Sequence, residues 1–555
     1  MTAPSDPSRD TADALLVLLL SALVFAWAHR HGLDPFVLND DARQQIYWMQ
    51  RWRDAALYPP NLLNDFAAAY VPAGVEALYF AAAPVIEPLF FTKVLAGLLF
   101  CVLSLAFYGI GRRLGDRPLG FFCAASVWLL PFFMDNIAGG LSRAFAAPAL
   151  ALFLLAWLRG SGRGMALCLL FAAATTPYMA VLATGSCLLA FAAGRLGRTV
   201  PPPFPAKSLD WVVITACAAL VLAMNHNLTA AGFGPLATVA DMAGNPVFSA
   251  AGRLDIYPLP NPFFDLIYTP FEGIGLFLDV GLGTGIASLA AIAVVVAIGA
   301  RRKGTCPLRT GVAPLVFLLL ASLVLYLAAR VLALRLFVPD RYVSYAVNIL
   351  YALGLAYLFR RALKPLLHRR VLAAGLLLLA AVAGAIRLTD AGLYDYGAYA
   401  DLYAAARQTP KDATFAGHPE LMDNLLTFGR RNVQASFELA HPWMTGYWRR
   451  FEPRLDDLFA AYYAADPETV AVFCRRYGVD FLVVDEAHFT PEFLAGRPFF
   501  APFDARIREL AAAVTAGGRG FALLDDARFP YVRVGKTLRM VDVRGIGPKN
   551  ASGGR

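Results

Sequence analysis

Long apolar runs, each flanked by charged residues, fill the first 387 positions of this 555-residue chain. A helix needs about 20 apolar residues to cross the hydrocarbon core of a bilayer, so each run predicts a membrane-spanning helix. The run over residues 165–194 is too long for one simple crossing, and Thr175-Thr176-Pro177 interrupts it, which predicts a hairpin of two short helices. About eleven helices are expected, from runs at residues 14–28, 89–110, 119–134, 144–158, 165–194, 211–224, 274–300, 312–334, 342–359 and 371–386.

Composition agrees with a multi-pass membrane protein. Hydrophobic residues make up 58% of the chain and charged residues 16%, which excludes both a water-soluble globule and an intrinsically disordered chain. The net charge of +9 raises the possibility of a nucleic-acid partner. Because the basic residues gather in short loops between apolar runs, they indicate membrane topology instead, and no nucleic-acid binding is expected.

The distribution of Lys and Arg predicts the orientation. Alternate loops assigned to the inside hold seventeen of them, whereas the outside loops hold eight. The first helix does not follow this charge pattern, because Asp6, Asp10 and Asp13 outnumber Arg9 on its inner side. It could instead be a secretory signal cleaved after Ala28, although signal peptides begin basic rather than acidic. In either case, the segment after Ala28 lies outside.

The soluble parts are two outer loops and a tail. The loops cover residues 29–88 and 225–273 of a transmembrane domain at 1–387, and the tail is residues 388–555. In the tail, strand-like runs at 413–416, 432–435 and 479–484 alternate with helix-like runs at 393–407 and 453–463, which predicts a small extracytoplasmic α/β domain. Its only cysteine is Cys474, so no disulfide forms within it, and residues 545–555 are expected to fray.

The segment most suggestive of chemistry begins the first outer loop. Asp40 and Asp41 follow Asn39 at the start of a predicted short helix, and its aromatic residues suit the depth of lipid headgroups. The acids could simply satisfy backbone N–H groups and the helix dipole. Alternatively, one carboxylate could act as a general base toward an incoming hydroxyl or amine. Adjacent side chains on a helix diverge by about 100°, so the two acids are not expected to share one role.

This segment resembles the first outer loop of the GT-C superfamily of integral-membrane glycosyltransferases, which includes protein O-mannosyltransferases and the lipid A aminoarabinose transferase. In that superfamily an acidic pair, often Asp-Glu, begins a short surface helix; here the pair is Asp40-Asp41, followed by Ala42-Arg43 and a segment with Pro59-Pro60. The close resemblance covers residues 40–84, and the rest agrees only in plan. It implies that Asp40 is the base and that Asp41, with a shorter side chain than Glu, is its partner or an ion ligand.

The resemblance also implies the reaction and the place. A sugar would pass from a polyprenyl-phosphate-linked donor to a lipid, glycan or protein acceptor at the outer face of a bacterial inner membrane, with the C-terminus periplasmic. No Trp-Trp-Asp signature of oligosaccharyltransferases is present in the chain, which argues against transfer of a whole oligosaccharide to Asn.

Three arginines predicted at the outer face are candidates to bind the donor phosphate, because a guanidinium offers paired donors to phosphate oxygens. They are Arg43, Arg143 and Arg341, and each could equally be an interfacial anchor. Arg341 is preferred because the Pro-Asp-Arg-Tyr turn, ending in Tyr342, fixes its position. Asp65 could serve a metal or the acceptor, or simply cap a turn. The seven histidines show no metal-ligand spacing, so no cofactor is predicted beyond the possibility of a divalent cation.

Other functions stay open at this point. A transporter or flippase of lipid-linked saccharides would use ionisable residues near the bilayer midplane, where Lys93 and Asp279 are the candidates, together with the helix break at 175–177. A glycan polymerase or ligase, or a nonenzymatic subunit, is a further alternative. In the tail, Asp485-Glu486 follows a predicted strand, and the aromatic run 441–448 could stack on sugars or form domain core.

Overall fold

A computed structural model of the chain describes residues 7–197, 202–262, 265–266, 290, 293–294, 297–301 and 311–544. Its membrane part is helical, with short 3-10 turns at Arg30–Leu33, Tyr47–Trp52, Ser142–Phe145, Pro246–Phe248 and Ala333–Leu336. The helices up to the tail are α1 Pro7–Ala28, α2 Asp40–Gln45, α3 Leu62–Tyr70, α4 Ala73–Ala82, α5 Pro88–Leu114, α6 Arg117–Leu129, α7 Pro131–Ile137, α8 Ala146–Leu158, α9 Gly162–Thr175, α10 Pro177–Arg195, α11 Ser208–Ala230, α12 Val239–Met242, α13 Ala313–Leu332, α14 Asp340–Ala362, α15 Lys364–Leu367 and α16 Arg370–Arg387.

The chain is a multi-pass membrane protein. Within the described residues, seven helices are long and apolar enough to cross a membrane, and there are eight if α6 and α7, which meet at 63°, form one span. Helices α8 and α9 are apolar but shorter than a full crossing. The predicted span at 274–300 lies largely outside the described residues, as do Asp279 and the basic residues 302–309. The expected total of about eleven helices therefore stays a prediction.

The helix break predicted at residues 175–177 is confirmed. Helix α9 ends at Thr175, and Pro177 begins α10, where its missing N–H costs nothing. The two helices pack against one another. Ser142, just before α8, donates a hydrogen bond to the Thr175 carbonyl (2.7 Å), so the break lies beside the turn that carries Arg143.

The acidic start of α1 is neutralised by the loops beside it. Asp13 accepts hydrogen bonds from Nε and Nη2 of Arg117, both at 2.6 Å, and Asp10 pairs with Arg112 at 2.5 Å. Arg360, at the far end of α14, pairs with Asp116 at 2.5 Å. The start of α1, the loop at 112–117 and the end of α14, which the order of the crossings assigns to one side of the membrane, therefore lie together. The unusual acidity before the first helix is explained by these ion pairs.

A mixed five-stranded sheet organises the tail. Its strands are β3 Thr414–Gly417, β4 Asn432–Val433, β5 Phe481–Asp485, β6 Tyr531–Val534 and β7 Leu538–Asp542, in the order β4-β3-β5-β7-β6. Strand β3 runs parallel to both β4 and β5, and the pairs β5–β7 and β6–β7 are antiparallel. The helices around the sheet are α17 Ala400–Arg407, α18 Pro419–Asn424, α19 Thr445–Tyr462, α20 Pro467–Tyr477, α21 Pro491–Ala495 and α22 Phe503–Ala516.

The tail is docked onto the first outer loop. Strand β1, Val37–Leu38, pairs antiparallel with β2, Tyr394–Asp395. The Asn39 side chain donates to the Gly392 carbonyl at 2.7 Å, and Tyr58 OH donates to the Leu426 carbonyl at 2.9 Å. Helix α2, which carries the acid pair, begins directly after β1 and is therefore held between the membrane helices and the tail.

Candidate functional site

Asp40 and Asp41 form the first turn of α2, as the sequence predicts, yet they do not cap it. Asn39 occupies the N-cap position, and its side chain turns away to Gly392. The hydrogen bonds that Asp40 and Asp41 accept come from side chains rather than from the backbone N–H groups of the helix. The pair is thus built into a side-chain network, and the simple capping interpretation does not account for it.

One oxygen of Asp40 is held and the other is open. Its Oδ1 pairs with Nη2 of Arg43 and also accepts a hydrogen bond from Tyr396 OH at 3.2 Å. Among the described residues nothing donates to Oδ2, and 42% of the side chain is exposed. A carboxylate with one anchored oxygen and one accessible oxygen has the arrangement that a general base requires.

Asp41 differs from Asp40 because both of its oxygens are engaged. Its Oδ2 forms an ion pair with Nη1 of Arg143 at 2.9 Å, and its Oδ1 accepts a hydrogen bond from Nε2 of Gln44 at 3.1 Å. Less of this side chain is exposed, 29%. The structure therefore brings Asp41 and Arg143 together, and it gives the two neighbouring acids separate surroundings.

Arg43 is placed as a structural link. Its guanidinium is buried, donates to Oδ1 of Asn424 at 2.7 Å, lies 4.1 Å above the Tyr396 ring, and comes within 3.6 Å of Glu438. With protein partners on these sides, it has little left to offer a phosphate. The helix that carries the acids is fastened to the tail at this point.

Arg341 lies in the first turn of α14, and its guanidinium is less occupied. Within the described part of the chain, its one ion pair is with Asp340 at 4.0 Å, and a third of its side chain is exposed. Tyr70 lies near both charges of interest: burial raises the pKa of Tyr70 to about 12, the Asp41 carboxylate adds to this and Arg341 opposes it. Arg341 and Asp41 therefore face one region, on which Arg143 also borders.

The two remaining predicted residues lie apart from this region or behind it. Tyr342 is buried, and its hydroxyl donates to the Leu336 carbonyl at 2.6 Å, which braces the turn before Arg341. Asp65 is exposed on α3. Burial raises its pKa, and Arg51 and Arg450 oppose that shift, so its charged neighbours are not those of the acid pair.

The tail contributes acids that the sequence analysis did not single out. Glu438 accepts from Nη2 of Arg253 at 3.1 Å, and Asp423 accepts from the Ser436 hydroxyl and from the Glu438 backbone N–H. Burial, together with the nearby carboxylates of Asp423 and Asp40, raises the pKa of Glu438. Burial likewise raises the pKa of Asp423, against the opposing charge of Arg43. No local motif marks these residues, because they meet the acid pair only in the folded chain.

The aromatic run 441–448 and the Asp485-Glu486 pair of the tail are engaged in contacts within the protein. Tyr447 of the aromatic run stacks on Phe66 at 3.8 Å and is fully buried, so the run forms core rather than an open platform for sugars. Glu486 pairs with Arg533 and Arg539 at 2.8 and 2.6 Å. Asp485, beside it, caps the turn that follows β5. Both features thus have structural roles.

Metal ligation has no visible support in the described ranges, where no group of three or more His, Cys, Asp or Glu is arranged to hold an ion. Asp40 and Asp41, the nearest candidates, are each paired with an arginine, which is a poor arrangement for a cation.

No protein-family profile matches the chain, and no curated protein matches it in sequence. Among solved structures, ArnT from Cupriavidus metallidurans in the apo state is similar with a TM-score of 0.50 and 13% identity, over 89% of this chain and 96% of ArnT. The same protein bound to undecaprenyl phosphate gives 0.48 and 11%, over 90% and 96%. The oligosaccharyltransferase of Archaeoglobus fulgidus with Zn and sulfate gives 0.43 and 12%, over 89% and 70%. In fold, the chain resembles the GT-C glycosyltransferases, the superfamily that its Asp40-Asp41 segment predicted.

Proposed function

We propose that the chain is a glycosyltransferase that moves a sugar from a polyprenyl-phosphate-linked donor to a lipid, glycan or protein acceptor at the outer face of the membrane. The observation that carries this proposal is the open Oδ2 of Asp40, next to an acid that is paired with Arg143 and faces Arg341. A base and two cations around one region suit a reaction that removes a proton and releases a phosphate.

Asp40 is the proposed base. Its Oδ2 takes the proton of the acceptor hydroxyl or amine while that oxygen or nitrogen forms a bond to the anomeric carbon of the sugar. The bond from the anomeric carbon to the phosphate oxygen breaks, and its electron pair leaves with the carrier phosphate. Arg43 and Tyr396 anchor Oδ1, and this contact aims Oδ2 outward.

Arg143 and Arg341 are the proposed phosphate ligands. A guanidinium stabilises the charge that grows on the departing phosphate without having to be rearranged during the reaction. Asp41 takes the role of holding Arg143, through their 2.9 Å contact. The similar ArnT has been solved with undecaprenyl phosphate, which is the class of carrier to test first.

Transport is less well supported than transfer. Of the two ionisable residues expected near the midplane, Lys93 lies in the second turn of α5, and its Nζ donates to the Asp34 carbonyl at 2.7 Å. Its charge is thus at the end of the helix that faces the first loop. Asp279 lies outside the described residues.

The test compares turnover of Asp40→Asn, Asp41→Asn and wild-type protein in membranes supplied with radiolabelled polyprenyl-phosphate sugars. Loss of a general base typically costs 10²- to 10⁴-fold in rate, so Asp40→Asn should fall at least about 100-fold. Asp54→Asn is the matched control, since Asp54 belongs to the same loop and pairs only with Lys411 in the described chain. Wild-type turnover in Asp40→Asn would overturn the proposal.

The outer-face assignment has its own test. Single cysteines at Ala55 and Leu366, both exposed, are introduced into a cysteine-free background and treated in intact cells with an impermeant maleimide. Labelling at 55 and protection at 366 are expected. The opposite pattern would place the acid pair inside the cell and remove the proposed location.

A further inference from the structure

A chain of two side chains connects Asp41 to the tail. Gln44, one turn after Asp41 on α2, donates from Nε2 to Oδ1 of Asp41 at 3.1 Å and to Oε2 of Glu438 at 3.3 Å. Its Oε1 lies 2.9 Å from Nε2 of His441, which is 397 positions away in the sequence. Asp41, Gln44 and His441 thus form one continuous hydrogen-bonded path.

The donors and acceptors along this path allow one assignment. An ionised Asp41 can only accept, so Gln44 must turn its NH₂ group toward Asp41 and its carbonyl toward His441. His441 must then carry its proton on Nε2 in order to donate. Burial lowers the pKa of His441 to about 3, so the ring is neutral at physiological pH and holds that single proton. His441 is therefore a fixed donor and not an acid or a base.

The ring has no freedom to turn away. His441 is 3% exposed and is surrounded by Phe66, Tyr70 and Trp443, with ring centroids at 5.0, 5.1 and 4.3 Å. These rings come from the first outer loop and from the tail itself. A buried histidine is commonly a core residue without a role in a site. This one contacts Gln44, and Gln44 in turn donates a hydrogen bond to Asp41 of the candidate site.

We propose that His441 and Gln44 are positioning residues, which hold Asp41 so that Asp41 in turn holds Arg143 toward the donor phosphate. The inference rests on the proposed function. Gln44 and Arg143 each hold one oxygen of Asp41, so loss of the Gln44 contact leaves the carboxylate attached on one side only. Among the described residues Asp41 is also the one ion-pair partner of Arg143, whose Nε is buried without a hydrogen-bond partner.

The test measures binding of undecaprenyl phosphate to the purified full-length protein, together with turnover. His441→Phe keeps a ring among the aromatic neighbours but removes the donor, and Gln44→Met removes all three hydrogen bonds of the Gln44 amide, to Asp41, Glu438 and His441. Each should weaken undecaprenyl phosphate binding about tenfold and lower turnover. His441→Gln, whose amide nitrogen reaches the position of Nε2, should retain binding within about twofold of wild type. Asp54→Asn is again the control.

The double variant tests whether the two residues act in one path. If they do, Gln44→Met combined with His441→Phe weakens binding no more than Gln44→Met alone. Additive losses would overturn the inference, as would His441→Gln binding as weakly as His441→Phe, or His441→Phe binding like wild type. A wild-type protein that binds no undecaprenyl phosphate would instead count against the proposed function, so the two failures are distinct. Thermal unfolding of each variant identifies any that fail to fold, in which case Gln44→Met carries the test.

Discussion

Asp40 and Asp41 are chemically identical neighbours whose surroundings give them different tasks. Asp40 keeps one oxygen free, whereas Asp41 has both oxygens engaged. The reason is the helical angle between them, which turns Asp40 toward Tyr396 of the tail and Asp41 toward Arg143 of the membrane part. A pair of acids on a helix start can thus serve as one proposed base and one support.

Arg43 should matter for stability more than for phosphate binding. Arg43→Ala removes the guanidinium that faces the buried carboxyl group of Asp423 and leaves Oδ1 of Asn424 without this donor, which we expect to lower the free energy of unfolding by about 1–3 kcal/mol. Arg30→Ala is the control, since Arg30 is exposed and should change stability by less than about 0.5 kcal/mol. The measurement is unfolding in detergent, followed by tryptophan fluorescence. Equal midpoints for both variants would contradict the assignment.

The raised pKa of Glu438 predicts that the stability of the protein depends on pH. Burial and the neighbouring carboxylates raise its pKa in the folded protein above the ordinary 4.5, so the folded state holds a proton that the unfolded state releases. Stability should therefore fall as pH rises from about 4.5 toward the raised pKa, by at most about 1.4 kcal/mol per pH unit. Glu438→Gln should flatten this decline, as measured by thermal unfolding between pH 5 and 8. An unchanged slope in the variant would show that Glu438 is not the cause.

The sequence allows site candidates to be named where a local pattern marks them. It does not reveal residues that join the candidate site from a distant part of the chain. Asp40 and Asp41 could be chosen as candidates because they lie at a predicted helix start, and Arg143 because it lies at a predicted helix end. Glu438 and His441 carry no such mark, because their role depends on contacts with residues nearly 400 positions earlier. His441 even belongs to an aromatic run that is typical of ordinary core.

At the scale of elements, charges at the helix ends decide how the membrane part holds together. Asp13 is almost fully buried and accepts from both Arg117 and Tyr108, so α1 is bound to α5 and α6 through its first turns. The apolar pattern predicts the helix, but only the structure shows why its acidic start is tolerated.

Asp13→Asn should therefore loosen α1. The amide retains an acceptor for Tyr108 but loses the charge that faces both nitrogens of Arg117, so we expect a loss of about 1–3 kcal/mol in unfolding free energy. Asp10→Asn is the comparison, because the Asp10 side chain is far more exposed than that of Asp13 and its ion pair should matter less. Chemical unfolding of the two variants in the same detergent decides the order. A larger effect from Asp10→Asn would contradict it.

The predicted elements of the tail were correct where local pattern decides and wrong where pairing decides. Strands β3, β4 and β5 begin within two residues of their predicted starts, since each is a short apolar run. The hairpin of β6 and β7 was not predicted. Its first strand places Val532 and Arg533 toward solvent and so lacks a clear alternation of buried and exposed positions. The helix predicted at 393–407 begins only at Ala400, because Tyr394 and Asp395 are taken up by the pairing with β1.

For the whole molecule, the decisive contact is the pairing of β1 with β2. Val37→Cys and Asp395→Cys together, in a cysteine-free background, place two thiols at directly paired positions, a separation within reach of a disulfide. Oxidation should cross-link them in high yield, as detected by the mobility of a chain cleaved between the two positions. The control pair, Val37→Cys with Tyr394→Cys, is one position out of register and should cross-link poorly. Equal yields would contradict the register.

The overall plan was predictable from charge and hydropathy, whereas the docking of its parts was not. Alternating basic loops correctly grouped the loop at 112–117 with the end of α14, whereas the start of α1, which did not follow the charge count, is placed beside them by its ion pairs. Nothing in the sequence shows that the tail lies against the first loop, because that contact is made by two-residue strands and single hydrogen bonds.

The link from Arg43 to Asn424 has a consequence for biosynthesis. A polypeptide is synthesised from its N-terminus to its C-terminus, so α2 is made long before α18 and the rest of the tail. Until the tail has been made, Arg43 lacks Asn424 and Glu438, and Asp40 lacks Tyr396. The proposed catalytic site is thus completed last, and truncated or stalled translation products are expected to insert into the bilayer without the proposed transferase activity.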